Sequence, residues 1–214
     1  MKRFDLSLYL ILDPGLCRAH SMAETARLAA AGGATLVQLR DKSGGTEALI
    51  ATGREIRAAL SGSGVPLIVN DDVAAAQAIG AEGVHLGQSD MEVAEARARL
   101  GPDAIIGLSV TNEAMVRAVD PALVDYVGIG PVFPTATKQN HNAPIGFDGL
   151  ARLVGLSPVP AVAIGGLKAQ HVAAALASGA AGVAVVSAIC GQPDPQQVSR
   201  ELAAQLATHR AGGA

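Results

Sequence analysis

The chain has 214 residues, a net charge of −3 and a pI near 5.9; half of it is apolar and 2% is aromatic. That length suits one domain spanning 1–214, and the charge balance offers no basic face for nucleic acid. No apolar run reaches the length of a membrane span. Cys17 and Cys190, far apart and unpatterned, are expected as free thiols of a reducing, cytoplasmic compartment.

The N-terminal "MKRFDLSLYLIL" starts basic and turns apolar, but Asp5 interrupts it, Asp13-Pro14 ends it, and no small-residue cleavage site follows. A signal peptide is therefore not expected. Short β-rich runs then recur: "LYLIL" (8–12), "TLVQLR" (35–40), "PLIVN" (66–70), "GVHL" (83–86), "AIIGLSV" (104–110), "VDYVGIG" (124–130), "PAVAIG" (160–165) and "GVAVVS" (182–187). They do not alternate polar and apolar, which suits strands covered on both faces of a parallel sheet. Helix signals fill the gaps. "SMAETARLAAAGG" opens on a Ser21-x-x-Glu24 capping box and closes on Gly32-Gly33. "DMEVAEARARLG" opens on Asp90 and closes on Gly101, and "KAQHVAAALASGA" closes on Gly179. A weak repeat, "AIGAEGVHL" (78–86) against "ALASGAAGVAV" (175–185), reads as helix end, glycine turn, strand. No linker divides the chain, and "RAGGA" at its end is expected to fray.

Eight such units predict a single-domain α/β fold, a (β/α)₈ TIM barrel, near the short end for its class. Most connections must then be short. The exception, 131–146 ("PVFPTATKQNHNAPIG"), is polar and without helical period, and a long loop in an economical barrel is expected to serve function. All strand C-termini face one end of such a barrel, where the site sits. Gln38, Arg40 and Lys42 (strand 2), Asn70 and Asp71 (strand 3), Ser109 (strand 5), Lys138 (the long loop), Gly165-Gly166 (strand 7) and Val186-Ser187 (strand 8) would all gather there.

Two chemistries meet at that rim. Gly166 and Ser187 stand where these barrels bind phosphate; glycine lets backbone N–H groups approach an oxyanion, and Ser187 is expected to open a short helix. Arg40 and Lys42, two apart on an extended segment, point the same way, and Lys138 adds a cation. Asp71 and Asp90 suit Mg²⁺, which takes few carboxylates and shares phosphate oxygens. Together they fit a diphosphate leaving group. Each residue also has a plainer reading: Asp72 and Asp90 suit helix N-caps, Arg40 and Asp41 a solvated pair, His85 a hydrogen-bonded core residue, and His20, His171 and His209 the surface. No His/Cys cluster has zinc spacing, no Gly-x-Ser-x-Gly elbow occurs, and neither cysteine carries an activating pattern.

"QLRDK" (38–42), "VND" (69–71), "GVHLGQSD" (83–90), "GLS" (107–109), "YVGIGPVFPTATK" (126–138), "AIGG" (163–166) and "VVS" (185–187) together resemble thiamine-phosphate synthases, in the family's order over about 150 of the 214 residues. The resemblance implies condensation of 4-amino-2-methyl-5-hydroxymethylpyrimidine diphosphate with 4-methyl-5-(2-phosphoethyl)thiazole, or its carboxylated tautomer, to thiamine phosphate and pyrophosphate. It implies a dissociative mechanism in which pyrophosphate leaves before the thiazole nitrogen attacks. Gln38, Leu39, Arg40, Asp41, Lys42, Asn70, Ser109 and Lys138 would bind the pyrimidine diphosphate, with Arg40, Lys42 and Lys138 assisting departure. Asp71 and Asp90 would hold one Mg²⁺, and Thr135, Ala136, Thr137, Gly166, Val186 and Ser187 the thiazole phosphate. The chain departs from the pattern at Thr111, where many relatives carry His, and in the weakly acidic "QNHNAP" (139–144). A thiazole tautomerase would not need the diphosphate set. A sugar-phosphate isomerase would want opposed acid and base groups, and a non-catalytic phosphate sensor would not need the metal set. Oligomeric state stays open.

Overall fold

A computed structural model describes residues 4–135 and 143–211. Each apolar run forms a parallel strand: β1 (Leu8–Leu12), β2 (Leu36–Leu39), β3 (Leu67–Asn70), β4 (Gly83–Leu86), β5 (Ile105–Val110), β6 (Tyr126–Ile129), β7 (Ala161–Ile164) and β8 (Gly182–Val185). The strands follow chain order, and β8 pairs with β1 to close the barrel. Outside them run α1 (Met22–Ala31), α2 (Gly45–Ala59), α3 (Val73–Ile79), α4 (Val93–Leu100), α5 (Glu113–Arg117), α6 (Gly146–Val154), α7 (Val172–Ala177) and α8 (Pro195–Ala211), with one 3₁₀ turn (Ala169–His171) before α7. This is the expected (β/α)₈ barrel. Among the described residues, no helix is long and apolar enough to cross a membrane.

Continuous apolar runs are needed because each strand packs on two sides. One side joins the helices in a layer containing Leu8, Leu10, Val37, Leu39, Val69 and Val127. The other fills the barrel with Tyr9, Ile11, Leu36, Ile68, Tyr126 and Val162. The repeat seen in sequence marks a shared close approach. At Gly83 a Cβ would collide with the Ile105 carbonyl, and at Gly182 with that of Leu6, so both strands start where only glycine fits.

Helix starts follow local hydrogen bonding. Ser21 accepts the Glu24 N–H at 3.1 Å, but the Glu24 carboxylate is held by Arg27 at 2.7 and 2.8 Å rather than completing the capping box. Asp72 caps α3, accepting the Ala75 N–H at 2.8 Å. Asp90 is not a helix cap: α4 starts at Val93, and the Asp90 carboxylate instead accepts the Gly87 N–H at 2.7 Å, closing the turn after β4. The long loop leaves β6 pinned beside β7, with Val132 N–H donating to the Ile164 carbonyl at 2.9 Å and Phe133 N–H to that of Gly165 at 3.0 Å. Ala136, Thr137 and Lys138 lie outside the described residues.

Candidate active site

The C-terminal ends of β2, β3 and β4 form a charged flank. β2 ends at Leu39, and beyond it Arg40 and Lys42 turn to different carboxylates rather than pointing the same way. Arg40 Nη1 lies 3.3 Å from Asp13 Oδ2, a pair that is mostly buried. Lys42, more than half exposed, pairs with Asp71. Asp41 does not pair with Arg40; it accepts the Ser43 N–H and hydroxyl at 2.8 and 2.7 Å, bonds that hold its carboxyl below the usual range.

Asp71 sits one residue past β3 with φ of 63°, a left-handed conformation that aspartate tolerates better than most residues. Its N–H donates to the His85 carbonyl at 2.9 Å, which anchors the bend. Burial pushes its carboxyl up; the adjacent Asp90 carboxyl, hydrogen-bonded to it, pushes the same way, while Lys42 opposes. Two abutting carboxylates beside an ammonium are short of positive charge. That donor set fits Mg²⁺, which needs one or two carboxylates and takes its remaining oxygens from substrate and water. Among the described residues, no group of three or more His, Cys, Asp or Glu forms a metal cluster.

On the opposite flank, from β5 to β8, the described residues that face the barrel mouth are uncharged. This flank bounds a cavity of about 130 Å³ at the barrel mouth, whose lining includes Ile11, Arg40, Ser109, Thr111, Gly128, Gly130, Thr135, Gly165, Gly166, Val186 and Ser187. Gly165 and Gly166 have φ of 99° and 67°. A Cβ on Gly166 would lie 2.7 Å from Phe133 Cβ and 2.8 Å from the Pro134 oxygen, so this glycine also lets the loops after β6 and β7 pack together. Ser187 does not open a helix. It lies in consecutive turns in which the Cys190 N–H donates to the Val186 carbonyl at 2.8 Å. A larger, open groove of about 770 Å³ lies between α2 and α3 at the start of β3, with Arg54, Arg57 and Glu82. It is at the wrong end of the strands to meet any of these groups.

Arg40, Ser109, Thr135, Gly166, Val186 and Ser187 thus share one cavity, while Lys42, Asp71 and Asp90 cluster on the rim beside it. Gln38 is buried inside the barrel and Asn70 ends β3 half-buried. The Leu39 side chain is fully buried in the helix-facing layer and does not face the site.

Sequence reasoning missed Asp13, which looked like a run terminator, and Gln88, whose amide donates to the Ser109 carbonyl at 2.7 Å. His171 is not a plain surface residue: its ring lies 4.5 Å from that of Phe133. Nor are the cysteines far apart in space. The Cys17 thiol donates to Cys190 Sγ at 3.2 Å across 173 residues of sequence, and the Cys190 contact lowers the Cys17 thiol to about 7.

Residues 8–189 match the family model described as thiamine monophosphate synthase. A thiamine-phosphate synthase of Azorhizobium caulinodans is 48% identical over 97% of this chain and 98% of its own length. One of Xanthobacter autotrophicus is 48% identical over 98% and 99%. The structure resembles a thiamine phosphate pyrophosphorylase from Pyrococcus furiosus with a TM-score of 0.85 and 33% identity, covering 95% of this chain and 96% of that one. This chain belongs to the thiamine monophosphate synthase family.

Proposed function

We propose that the chain joins hydroxymethylpyrimidine diphosphate to the thiazole phosphate, releasing thiamine phosphate and pyrophosphate, and that pyrophosphate leaves before the new bond forms. The observation that carries this is one cavity lined by Arg40 and, across from it, by Gly165, Gly166 and Ser187, with Lys42, Asp71 and Asp90 clustered at the ends of the strands next to Arg40. Two differently built anion sites suit two phosphorylated substrates.

Arg40 and Lys42 neutralise the departing diphosphate as its charge grows, and Lys138, from outside the described residues, adds to them. Asp71 and Asp90 would hold Mg²⁺, which supplies further charge neutralisation to the leaving group when bound. Gly165, Gly166, Val186 and Ser187 seat the thiazole phosphate, with Thr135 and, from outside the described residues, Ala136 and Thr137. The apolar floor made by Ile11, Ile164 and Ala184 keeps water from the reacting carbon. No strong base or nucleophile is required, so positioning and charge neutralisation carry the rate. Free buried Cys17 and Cys190 fit work in the reducing cytoplasm.

The test is turnover with both substrates, with and without Mg²⁺, read as thiamine phosphate and pyrophosphate. Equal amounts of the two products, only with Mg²⁺, are expected. Interconversion of thiazole tautomers without the pyrimidine substrate would make it a tautomerase, and binding without product a sensor.

A further inference from the structure

The barrel interior holds a line of polar groups that none of these roles uses in full. Gln38 Nε2 donates to the Tyr9 hydroxyl at 2.6 Å, and the Tyr9 and Tyr126 hydroxyls are 2.8 Å apart. Tyr126 Oη lies 3.0 Å from His85 Nδ1, and His85 Nε2 lies 2.9 Å from Ser109 Oγ. Five strands contribute one side chain each. The chain has two tyrosines, and both are here, 1% and 0% exposed; Gln38 and His85 are 2% and 7% exposed. The space is built for them. A Cβ on Gly107 would collide with Tyr126 and His85, and one on Gly128 would lie 3.2 Å from His85 Cε1. Aliphatic side chains would fill a barrel without these demands, since every buried polar group must find a partner.

The direction of each bond follows from proton counting. Burial pushes both phenols well above their ordinary range, so each keeps its one proton. The Tyr9 oxygen accepts from Gln38, and within this line Tyr126 is the group in reach of the Tyr9 proton; with Tyr9 donating to Tyr126, the Tyr126 proton goes to His85 Nδ1. An imidazolium would aim a second donor at that bond, so the ring is neutral with its proton on Nε2. Nε2 then donates to Ser109 Oγ, and the serine proton is left to point into the cavity that Ser109 lines.

We infer that Gln38, Tyr9, Tyr126 and His85 form a polarised hydrogen-bond line that holds Ser109 as a donor toward an acceptor atom of the pyrimidine diphosphate. Tyr9, Tyr126 and His85 are positioning residues; no proton is transferred along the line. The ligand named rests on the proposed function, but the polarity does not. Reversing the amide at one end would reverse every bond and turn Ser109 into an acceptor from the site, so the two ends are coupled through three buried side chains.

The polarity is read without substrate from the ¹⁵N resonances of His85, assigned by their loss in His85→Asn. The expected tautomer has a protonated Nε2 and a bare Nδ1; the opposite tautomer in the parent protein overturns the inference. Gln38→Glu, read with the new carboxylate ionised, can only accept. It should drive the His85 proton to Nδ1, three hydrogen bonds away from residue 38, and an unchanged tautomer refutes the coupling. Should that variant fail to fold, a double-mutant cycle decides. Tyr126→Phe should lower kcat/KM for the pyrimidine diphosphate about tenfold alone, but less than about twofold on top of Ser109→Ala, with the thiazole phosphate KM unmoved in both. Equal losses in the two backgrounds would reduce Tyr126 to packing. A chain with the expected tautomers but no turnover would keep this inference and sink the proposed reaction.

Discussion

The β2–β4 flank of the rim presents its chemistry on long charged side chains; the described residues of the β6–β8 flank present it on backbone, glycine and the hydroxyls of Thr135 and Ser187. Arg40 and Lys42 each hold a carboxylate partner, Asp13 and Asp71. Gly165 and Gly166 hold left-handed backbone against the loop after β6. The difference suits the two proposed ligands. A diphosphate that departs needs countercharge that can grow with the reaction. A phosphate that merely anchors its substrate needs a fixed cradle. Substitutions on the first flank should therefore act mainly on kcat, and on the second mainly on KM.

The largest effect is expected at Asp71. Asp71→Asn keeps the left-handed backbone that Asn tolerates and removes one carboxylate of the pair. Loss of kcat should be roughly 10²- to 10³-fold, with Mg²⁺ dependence weakened and the thiazole phosphate KM unchanged. The same variant should melt higher in the absence of Mg²⁺. Because the Asp71 carboxyl is pushed up in the folded chain, the native state holds its proton more tightly than the unfolded state. Its ionisation then costs stability as pH rises above the ordinary aspartate range, and Asn removes that cost. A lower melting temperature at neutral pH would show that the Lys42 pair outweighs the Asp90 repulsion.

Gly166→Ala should come next. Its φ of 67° and the 2.7 Å approach to Phe133 leave no room for a methyl group. We expect about 1–3 kcal/mol of destabilisation and a rise of about tenfold in thiazole phosphate KM, with kcat at saturation nearly kept. A kcat loss as large as that at Asp71 would erase the division between the flanks. Ser187→Ala removes one exposed hydroxyl and should raise only the thiazole phosphate KM, by about threefold to tenfold. A shift confined to the pyrimidine substrate would move Ser187 to the other ligand.

The smallest effect sharpens the comparison where the flanks meet. Cys17 follows Asp13, the partner of Arg40, and Cys190 follows Ser187. With the Cys190 hydrogen bond holding Cys17 at about 7 rather than 9.0, the folded chain binds fewer protons than the unfolded one between those values. Stability should rise with pH across that window and lose this contribution as pH falls through about 7. Cys190→Ala should flatten the rise and move the ultraviolet thiolate titration of Cys17 upward; an unmoved midpoint would mean that Cys190 does not set it.

How much of this could be read beforehand depends on the range of the forces involved. The strands were legible because a barrel buried on both faces demands unbroken apolar runs, and all eight runs became strands. Lys42, Asp71 and Ser109 were legible because charge or hydroxyl at a strand end is conspicuous. Asp90 misled because a turn and a helix cap use the same residue types, and only the Gly87 contact separates them. Ser187 misled because its segment closes into turns without propagating as a helix. Tyr9 hid within "LYLIL", where a phenol counts as an apolar residue until its hydroxyl finds Tyr126 on a strand over a hundred residues away. Leu39 was grouped with its polar neighbours, although strand alternation sends it to the opposite face.

The meeting of Cys17 and Cys190 has a further consequence, for the order of assembly. One thiol follows the first strand and the other the last, so they touch only once β8 has docked on β1. Every other strand pair joins neighbours in the chain and can form as a local unit; this seam spans nearly the whole polypeptide and bears the heaviest loop-closure entropy. The proximity of the two sulfurs is therefore a chronometer of ring closure. A bifunctional thiol reagent small enough to span them, added at intervals during refolding, would separate chains with a finished barrel from those still open at the seam.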